Sequence, residues 1–280
     1  RIEEIKAEGA VACGSLTPQK VGQYHEVAIE AGLDILVIQG TVISAEHVSA
    51  ADEPLNLKEV IAEVPVPTVV GGCASYSTGL HLMRTGAVGV LVGVGPGAAC
   101  TTRGVLGIGV PQATAIADVA AARSQHMLET GEYVNVIGDG GMRTGGDISK
   151  AIACGADAVM IGSPLARAKE APGRGYHWGM ATFHSSLPRG TRVTTVQDGT
   201  MEEILLGPAH ENDGTFNLMG ALRTSMATTG YEDIRSFQRA EMMIAPALMT
   251  EGKKLQTEQA VGMGSNGRAA VSAGVVVADD

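Results

Sequence analysis

The sequence predicts a parallel α/β fold, and three observations point to it. Short β-branched runs alternate with helical stretches six times along the chain. The runs are apolar at nearly every position, as strands covered on both faces are; they place strands at Ala10–Cys13, Ile35–Ile38, Thr68–Val70, Gly89–Val92, Val134–Ile137 and Ala158–Ile161. Glycine-rich loops follow the later strands: GVGPGAAC after the fourth, GDGGMRTGG after the fifth and GSPLA after the sixth. Six such units suit either a (β/α)8 barrel, with its chemistry where the strands end, or a doubly wound sheet. Periodicity does not choose between them.

The helices have readable boundaries. Thr17 is the expected N-cap of one, with Pro18 at its first position and Gly32 closing it. Gln112–Thr130 reads as a longer helix carrying Ile116, Val119 and Met127 on one face. At 280 residues and 45% hydrophobic, the chain can bury a sizeable core. No apolar run reaches the ~18–20 residues of a membrane span. A net charge of −10 argues against nucleic-acid binding while allowing a local phosphate site. The four cysteines have no CxxC spacing and read as free thiols of a cytoplasmic protein. Cys13, Cys73 and Cys154 are expected to be packing residues, small and buried.

Cys100 differs, because it stands behind GPGAA rather than inside a strand or helix. A thiol there becomes a nucleophile if its surroundings stabilise the thiolate. The glycine carbonyls of the same loop are candidate ligands for a monovalent cation. GDGG (138–141) and GADAVMIGS (155–163) offer bare backbone N–H groups of the kind that hold a phosphate, although glycines in tight turns look the same. Asp139, between two glycines, is placed to accept hydrogen bonds from a ribose diol.

GVGPGAACTTRGVLGIGVPQATAI, VIGDGGMRTGGDISKAIACGADAVMIGSPLARAKEAPG and GALRTSMATTG together resemble the IMP dehydrogenase / GMP reductase family, over roughly residues 9–235. Within it the chain is most similar to the short branch that lacks the regulatory CBS pair. The resemblance implies a (β/α)8 TIM barrel, of which this chain lacks the first two βα units, with about 100 further residues upstream on the ~250-residue norm of such barrels. Residues 1–235 would form the partial catalytic barrel, with a shortened flap at 181–187, and 236–280 a partly disordered tail. It further implies that Cys100 attacks C2 of an IMP, XMP or GMP-class nucleotide and forms a thioimidate, with NAD or NADP as redox partner. Gly140, Gly141, Gly162 and Ser163 would hold the phosphate, Asp139 the ribose, Gly179 and Met180 the base, and Gly93 would pack on the nicotinamide. Gly95, Gly97 and Cys100 would offer carbonyls to K+. Thr102 and Arg189 would serve catalysis, in a homotetramer or octamer.

The departures from the family pattern matter. Ala98 stands where relatives usually have a phosphate-binding serine. LVIQGT (36–41) lacks the aspartate that usually meets the dinucleotide. ATFHSSL (181–187) lacks the Arg-Tyr pair that activates water, which makes Arg189 or His184 the expected substitute. MIGSPLA and EAPG favour IMP dehydrogenase; the missing pair favours GMP reductase. A nucleotide-binding protein with reduced turnover and a flavin barrel are readings of other kinds. The intact cysteine loop opposes the first, and a colourless protein would exclude the second.

Overall fold

The computed structural model describes residues 1–43, 46–47, 55–179, 192–243, 256, 259 and 261. Its strands are β1 (Cys13–Leu16), β2 (Ile35–Gln39), β3 (Glu46–His47), β4 (Leu55–Asn56), β5 (Thr68–Cys73), β6 (Gly89–Val92), β7 (Asn135–Asp139), β8 (Ala158–Met160), β9 (Tyr176–Trp178) and β10 (Arg192–Thr194). Six of them form one curled parallel sheet, a half-barrel, in the order β1-β2-β5-β6-β7-β8. Each new strand adds beside its predecessor, with no reversal of direction. A doubly wound sheet needs such a reversal, so the winding is that of a partial TIM barrel. β3 pairs antiparallel with β4, and β9 and β10 form a second two-stranded sheet.

Helix α1 (Ile2–Ala7) precedes β1, and α2 (Pro18–Glu30), α3 (Leu57–Glu63), α4 (Tyr76–Met83), α5 (Thr102–Leu106), α6 (Gln112–Thr130), α7 (Gly145–Ala153) and α8 (Ser163–Ala166) lie between the strands in the chain. α9 (Met201–Leu205), α10 (Leu218–Thr228) and α11 (Ile234–Phe237) follow β10. No helix among the described residues is long and apolar enough to cross a membrane. The described chain divides into two compact units: 1–141 with 154–160 and 178–193, and 142–153 with 161–177 and 194 onward.

The first unit contains the sheet. Val37, Val69 and Leu91 cluster on one of its faces with Ile35 and Ile137, while Leu36, Ile38, Val70 and Val90 on the other face are fully buried. Burial on both faces is why these strands read as unbroken apolar runs. The central strand β6 and helix α6 have the expected boundaries. β1 runs three residues later than expected, because it is an edge strand and its alternate residues Cys13 and Ser15 are exposed. Cys13 is therefore an exposed thiol and not a buried packing residue. On α6, Ile116 and Val119 are buried but Met127 is half exposed, and His126 takes the inward place. Seven residues from Val119 complete almost two turns, whereas eight overshoot by about 80°. Thr17 does occupy the N-cap of α2, yet its side chain makes no capping hydrogen bond.

The end of the sheet where the strands start is closed by charge. Asp157 accepts hydrogen bonds from Arg123 Nη1 at 2.7 Å, Tyr133 OH at 2.5 Å and Val136 N at 2.8 Å. The Arg123 guanidinium also lies 4.9 Å from the centre of the Tyr133 ring. In the second unit α7 packs on α10 through Gly145, where a Cβ would collide with Ala221. α9 begins with a capping box between Thr200 and Glu203, and those hydrogen bonds, with His210, pull the Glu203 carboxyl down to about 2.

Asp157→Ala should destabilise the protein by about 3–5 kcal/mol, since it leaves the mostly buried Arg123 without its counter-charge. Urea unfolding measures this as a lower midpoint, and Asp157→Asn should lose less.

Candidate functional site

The site-bearing loops of the first unit leave β6 and β7 side by side, and Gln112, at the start of α6, joins their ends. Its Nε2 donates to Val92 O at 2.6 Å and to Asp139 O at 3.3 Å. Gly93 lies beneath this amide with φ +148°; a Cβ there would strike the Asp139 carbonyl and crowd Gln112. The next residues fold back on the neighbouring loop. Pro96 packs against Gly140 and Gly141, which have φ near +80° and space for a Cβ no closer than 3.4 and 2.9 Å from the proline. Both need glycine for their conformation, and at Gly141 the approach of Pro96 requires it a second time.

Cys100 stands at the end of this loop. Its N–H donates to Gly97 O at 2.9 Å, closing a tight turn, and its Sγ donates to Thr102 Oγ1 at 3.2 Å. Cys100 is half-buried, while Thr102 is completely buried as the first residue of α5. Arg103 pins the loop from behind, with Nε on Val94 O at 3.1 Å and Nη2 on Val110 O at 2.6 Å. Gly95, at φ +74°, leaves the space that the Arg103 stem fills. On another side, a Cβ on Gly179 would lie 3.5 Å from Ala99 O and 3.9 Å from Cys100 Cα. Gly179, expected to border the base, thus lies beside the candidate nucleophile.

Asp139 accepts from Gln39 Nε2 at 2.9 Å. Burial pushes its carboxyl up to about 6, and the Gln39 hydrogen bond opposes that rise. Gln39 is the polar residue of LVIQGT, so the stretch that lacks the usual aspartate still contributes to the site. The Gly140 N–H is already committed to Met160 O at 2.9 Å, within the junction of β7 and β8. Gly140 therefore shapes the loop instead of donating to a phosphate.

The structure brings Cys100, Thr102, Gly93, Gly95, Gly97, Asp139, Gly140, Gly141 and Gly179 into the first unit. Gly162 and Ser163 belong to the second. There Ser163 Oγ meets His177 Nε2 at 3.2 Å, and His177 Nδ1 meets Thr195 Oγ1 at 2.6 Å. A Cβ on Gly162 would face open space. Ser163 and Thr195 line a cavity of about 380 Å3 with Arg143, Arg167, Asp198 and Asp213, where Arg167 is paired with Asp198 at 2.9 Å. Sequence reasoning passed over Gln39, Arg103, Gln112 and His177. His177 alone carried a signal, its place in HWGM. Met180, Arg189, His184 and the flap at 181–187 lie outside the described residues.

Burial pushes the Cys73 thiol up to about 12, where it stays protonated at neutral pH, and even the exposed Cys13 is raised by the part of it that is covered.

Fold and site define a partial β/α barrel with a cysteine loop set against a glycine-rich loop at the strand ends. The profile of the IMP dehydrogenase / GMP reductase domain matches residues 4–254, and the chain belongs to that family. A Mycolicibacterium smegmatis protein described as an uncharacterized oxidoreductase is 48% identical over 247 residues, covering 87% of this chain and 66% of that protein. The inosine-5'-monophosphate dehydrogenase of Methanocaldococcus jannaschii is 32% identical over 263 residues, covering 82% of this chain and 49% of its own. A solved structure, the IMP dehydrogenase/GMP reductase-like protein of Corynebacterium glutamicum, superposes with a TM-score of 0.80 at 46% identity. It covers 87% of this chain and 64% of that one. The chain thus spans just under two thirds of the length of the relatives it matches at high identity.

A carboxyl raised by burial favours the folded state most below its unfolded value near 4, and that contribution is lost as pH rises through 6. Asp139→Asn should therefore stabilise the unliganded protein at pH 7 by up to roughly 3 kcal/mol, seen as a higher urea midpoint. If Asp139 holds a ribose diol, it does so as the ionised carboxylate, and nucleotide affinity should then fall by up to about tenfold per unit below pH 6. Calorimetric titration across pH 5–8 checks this, and the variant should show weak binding with a flat profile.

Proposed function

We propose that the chain carries the catalytic centre of an NAD-dependent IMP dehydrogenase that oxidises IMP to XMP through a thioimidate on Cys100. The hydrogen-bonded pair of Cys100 and buried Thr102, held at 3.2 Å on a loop braced by Arg103 and Pro96, is the observation that carries this reading. In it, Cys100 Sγ adds to purine C2, the C2 hydrogen leaves with its electron pair, and the thioimidate persists until water attacks C2 and frees XMP. Thr102 Oγ1 accepts a hydrogen bond from the thiol, whose proton passes to solvent as the thiolate adds to C2, and Thr102 is the candidate relay for the proton of the attacking water. Asp139 holds the ribose diol once ionised. Gly141, Gly162 and Ser163 supply phosphate contacts, and Gly179 with Met180 borders the base.

The residues fit the two groups that this reaction uses. Beside Gly93 the Gln112 Oε1 atom is buried and has no hydrogen-bond partner, which leaves an acceptor of the kind a carboxamide requires. A nicotinamide dinucleotide, NAD or NADP, would receive the electrons there. Gly95, Gly97 and Cys100 offer neutral carbonyl oxygens, a donor set suited to K+ rather than to a divalent ion. A homotetramer or octamer in the cytoplasm completes this reading.

GMP reductase is the second reading, and one observation favours it. ATFHSSL contains neither the arginine nor the tyrosine that would activate water, and reductive deamination needs no hydrolytic base. An absorbance assay at 340 nm with IMP and NAD, run beside GMP and NADPH, separates the two. IMP-dependent appearance of NADH is the expected result. Cys100→Ala should lower that rate more than about a thousandfold. Arg189→Ala should leave a burst of NADH while the steady state collapses, if Arg189 orients the attacking water. GMP-dependent loss of NADPH, with no burst from IMP, would instead establish the reductase.

A further inference from the structure

Two polar residues cap the apolar cluster on one face of the curled sheet. Ile35, Val37 and Gln39 alternate onto that face of β2, as Ile137 and Asp139 do on β7. Val37, Val69 and Leu91 pack there with Ile35 and Ile137, so Gln39 and Asp139 lie just beyond the cluster, where the strands end. β5 and β6 stand between them, which makes three strand spacings, roughly 14 Å along a flat sheet. A glutamine and an aspartate do not span that distance; the curl of the sheet brings them together. At this level β5 contributes Gly71, in register with Gln39, and the residue after β6 is Gly93. Neither puts a side chain in the way. Gln39 Nε2 thus reaches Asp139 Oδ2 at 2.9 Å, and Ser15 Oγ on β1 donates to the other end of the same amide at 3.5 Å. Asp139 Oδ1 accepts no hydrogen bond among the described residues. The groups that face Asp139 are Gln39 from β2, Gly93 beyond β6 and Gln112 from α6, and none of them is charged.

We propose that Gln39 is a positioning residue of the candidate site, which fixes the Asp139 carboxylate by one oxygen and leaves the other to accept from a vicinal diol. The inference rests on the reading of Asp139 as the carboxylate that holds the ribose. An amide suits this task because it donates a hydrogen bond without bringing charge. A carboxylate at position 39 would repel Asp139, and an apolar side chain would leave the carboxyl free to turn and harder to ionise. Strand β2 thereby acts on a residue 100 positions away through one hydrogen bond.

Urea unfolding across pH 5–8 tests the hold of Gln39 with no ligand present. Gln39→Met keeps the length of the side chain and removes the donor. A carboxyl raised by burial stabilises the fold at low pH and loses that contribution as pH rises through its folded value, about 6 in the wild type. Without the amide the carboxyl should hold its proton about tenfold more tightly, the worth of one such hydrogen bond. Relative to the wild type, the folding constant of Gln39→Met should therefore be about tenfold lower at pH 8 than at pH 5. In an Asp139→Asn background the same substitution should show no such pH dependence. A purely structural glutamine would cost the same at every pH, and that result overturns the role of Gln39. Calorimetry at pH 8 then compares IMP with its 2',3'-dideoxy analogue. The wild type should prefer IMP, and Gln39→Met should lose up to about tenfold of that preference, as a carboxylate no longer held in place implies. An undiminished preference in Gln39→Met overturns the positioning role. No preference in the wild type overturns the ribose reading itself, and the unfolding measurement still decides whether Gln39 holds the carboxyl. If Gln39→Met fails to fold, Gln39→Ala, which removes the donor without adding bulk, decides by the same outcomes.

Discussion

Everything in the candidate site depends on how closely two neighbouring strand ends approach each other. β6 and β7 deliver the cysteine loop and the GDGG loop from adjacent positions in one sheet, so the loops must share a space that side chains would fill. Gly93, Gly140 and Gly141 leave that space empty, and the Gln112 amide fixes its width by holding Val92 O and Asp139 O together. Remove the bare backbone, and Pro96 cannot lie against the GDGG turn. Remove the amide, and two carbonyls at the rim of the sheet lose their donor. The concentration of glycine that distinguishes this stretch of sequence is thus a packing requirement before it is a binding one.

Upon this junction the chemistry is arranged by short-range contacts. The 97–100 turn points the chain back on itself and brings Cys100 to Thr102, and Arg103 prevents the loop from relaxing outward. Asp139 ends the neighbouring strand as a carboxyl that burial raises to about 6 against the opposing Gln39 hydrogen bond. Any ligand that donates hydrogen bonds to it favours the ionised form, so ligand binding and ionisation would be coupled at this residue. The second unit builds its own polar line, Thr195 to His177 to Ser163, which fixes the orientation of the serine hydroxyl. If His177 Nε2 carries the proton, it donates to Ser163 Oγ and frees the serine O–H for an anion.

How much could be read from the residues follows from the range of the forces involved. β6 and α6 were legible to the residue because burial on both faces, and a proline followed by nineteen helical residues, leave a local pattern. β1 was not, since an edge strand tolerates Gly14 and Ser15 and so loses the apolar signature. His126 was overlooked in favour of Met127 because side-chain chemistry outweighed helical phase in the reading. The cysteine loop, Asp139 and the glycines announced themselves through composition. Gln39, a hundred residues from Asp139 in sequence, could not. Its role arises from strand register, as that of Gln112 arises from where α6 begins, and neither leaves a local trace. Gly140 was assigned a phosphate it does not face with its N–H, because a glycine needed for its backbone looks the same as one needed for a ligand.

The central claim is that Cys100 bonds to the purine during turnover. Peptide mass spectrometry of the protein, acid-quenched while turning over IMP with NAD, tests it most directly. The account predicts a nucleotide adduct on the peptide containing Cys100 and on no peptide containing Cys13, Cys73 or Cys154. Turnover with Cys100 unmodified throughout, or an adduct confined to another cysteine, would contradict it.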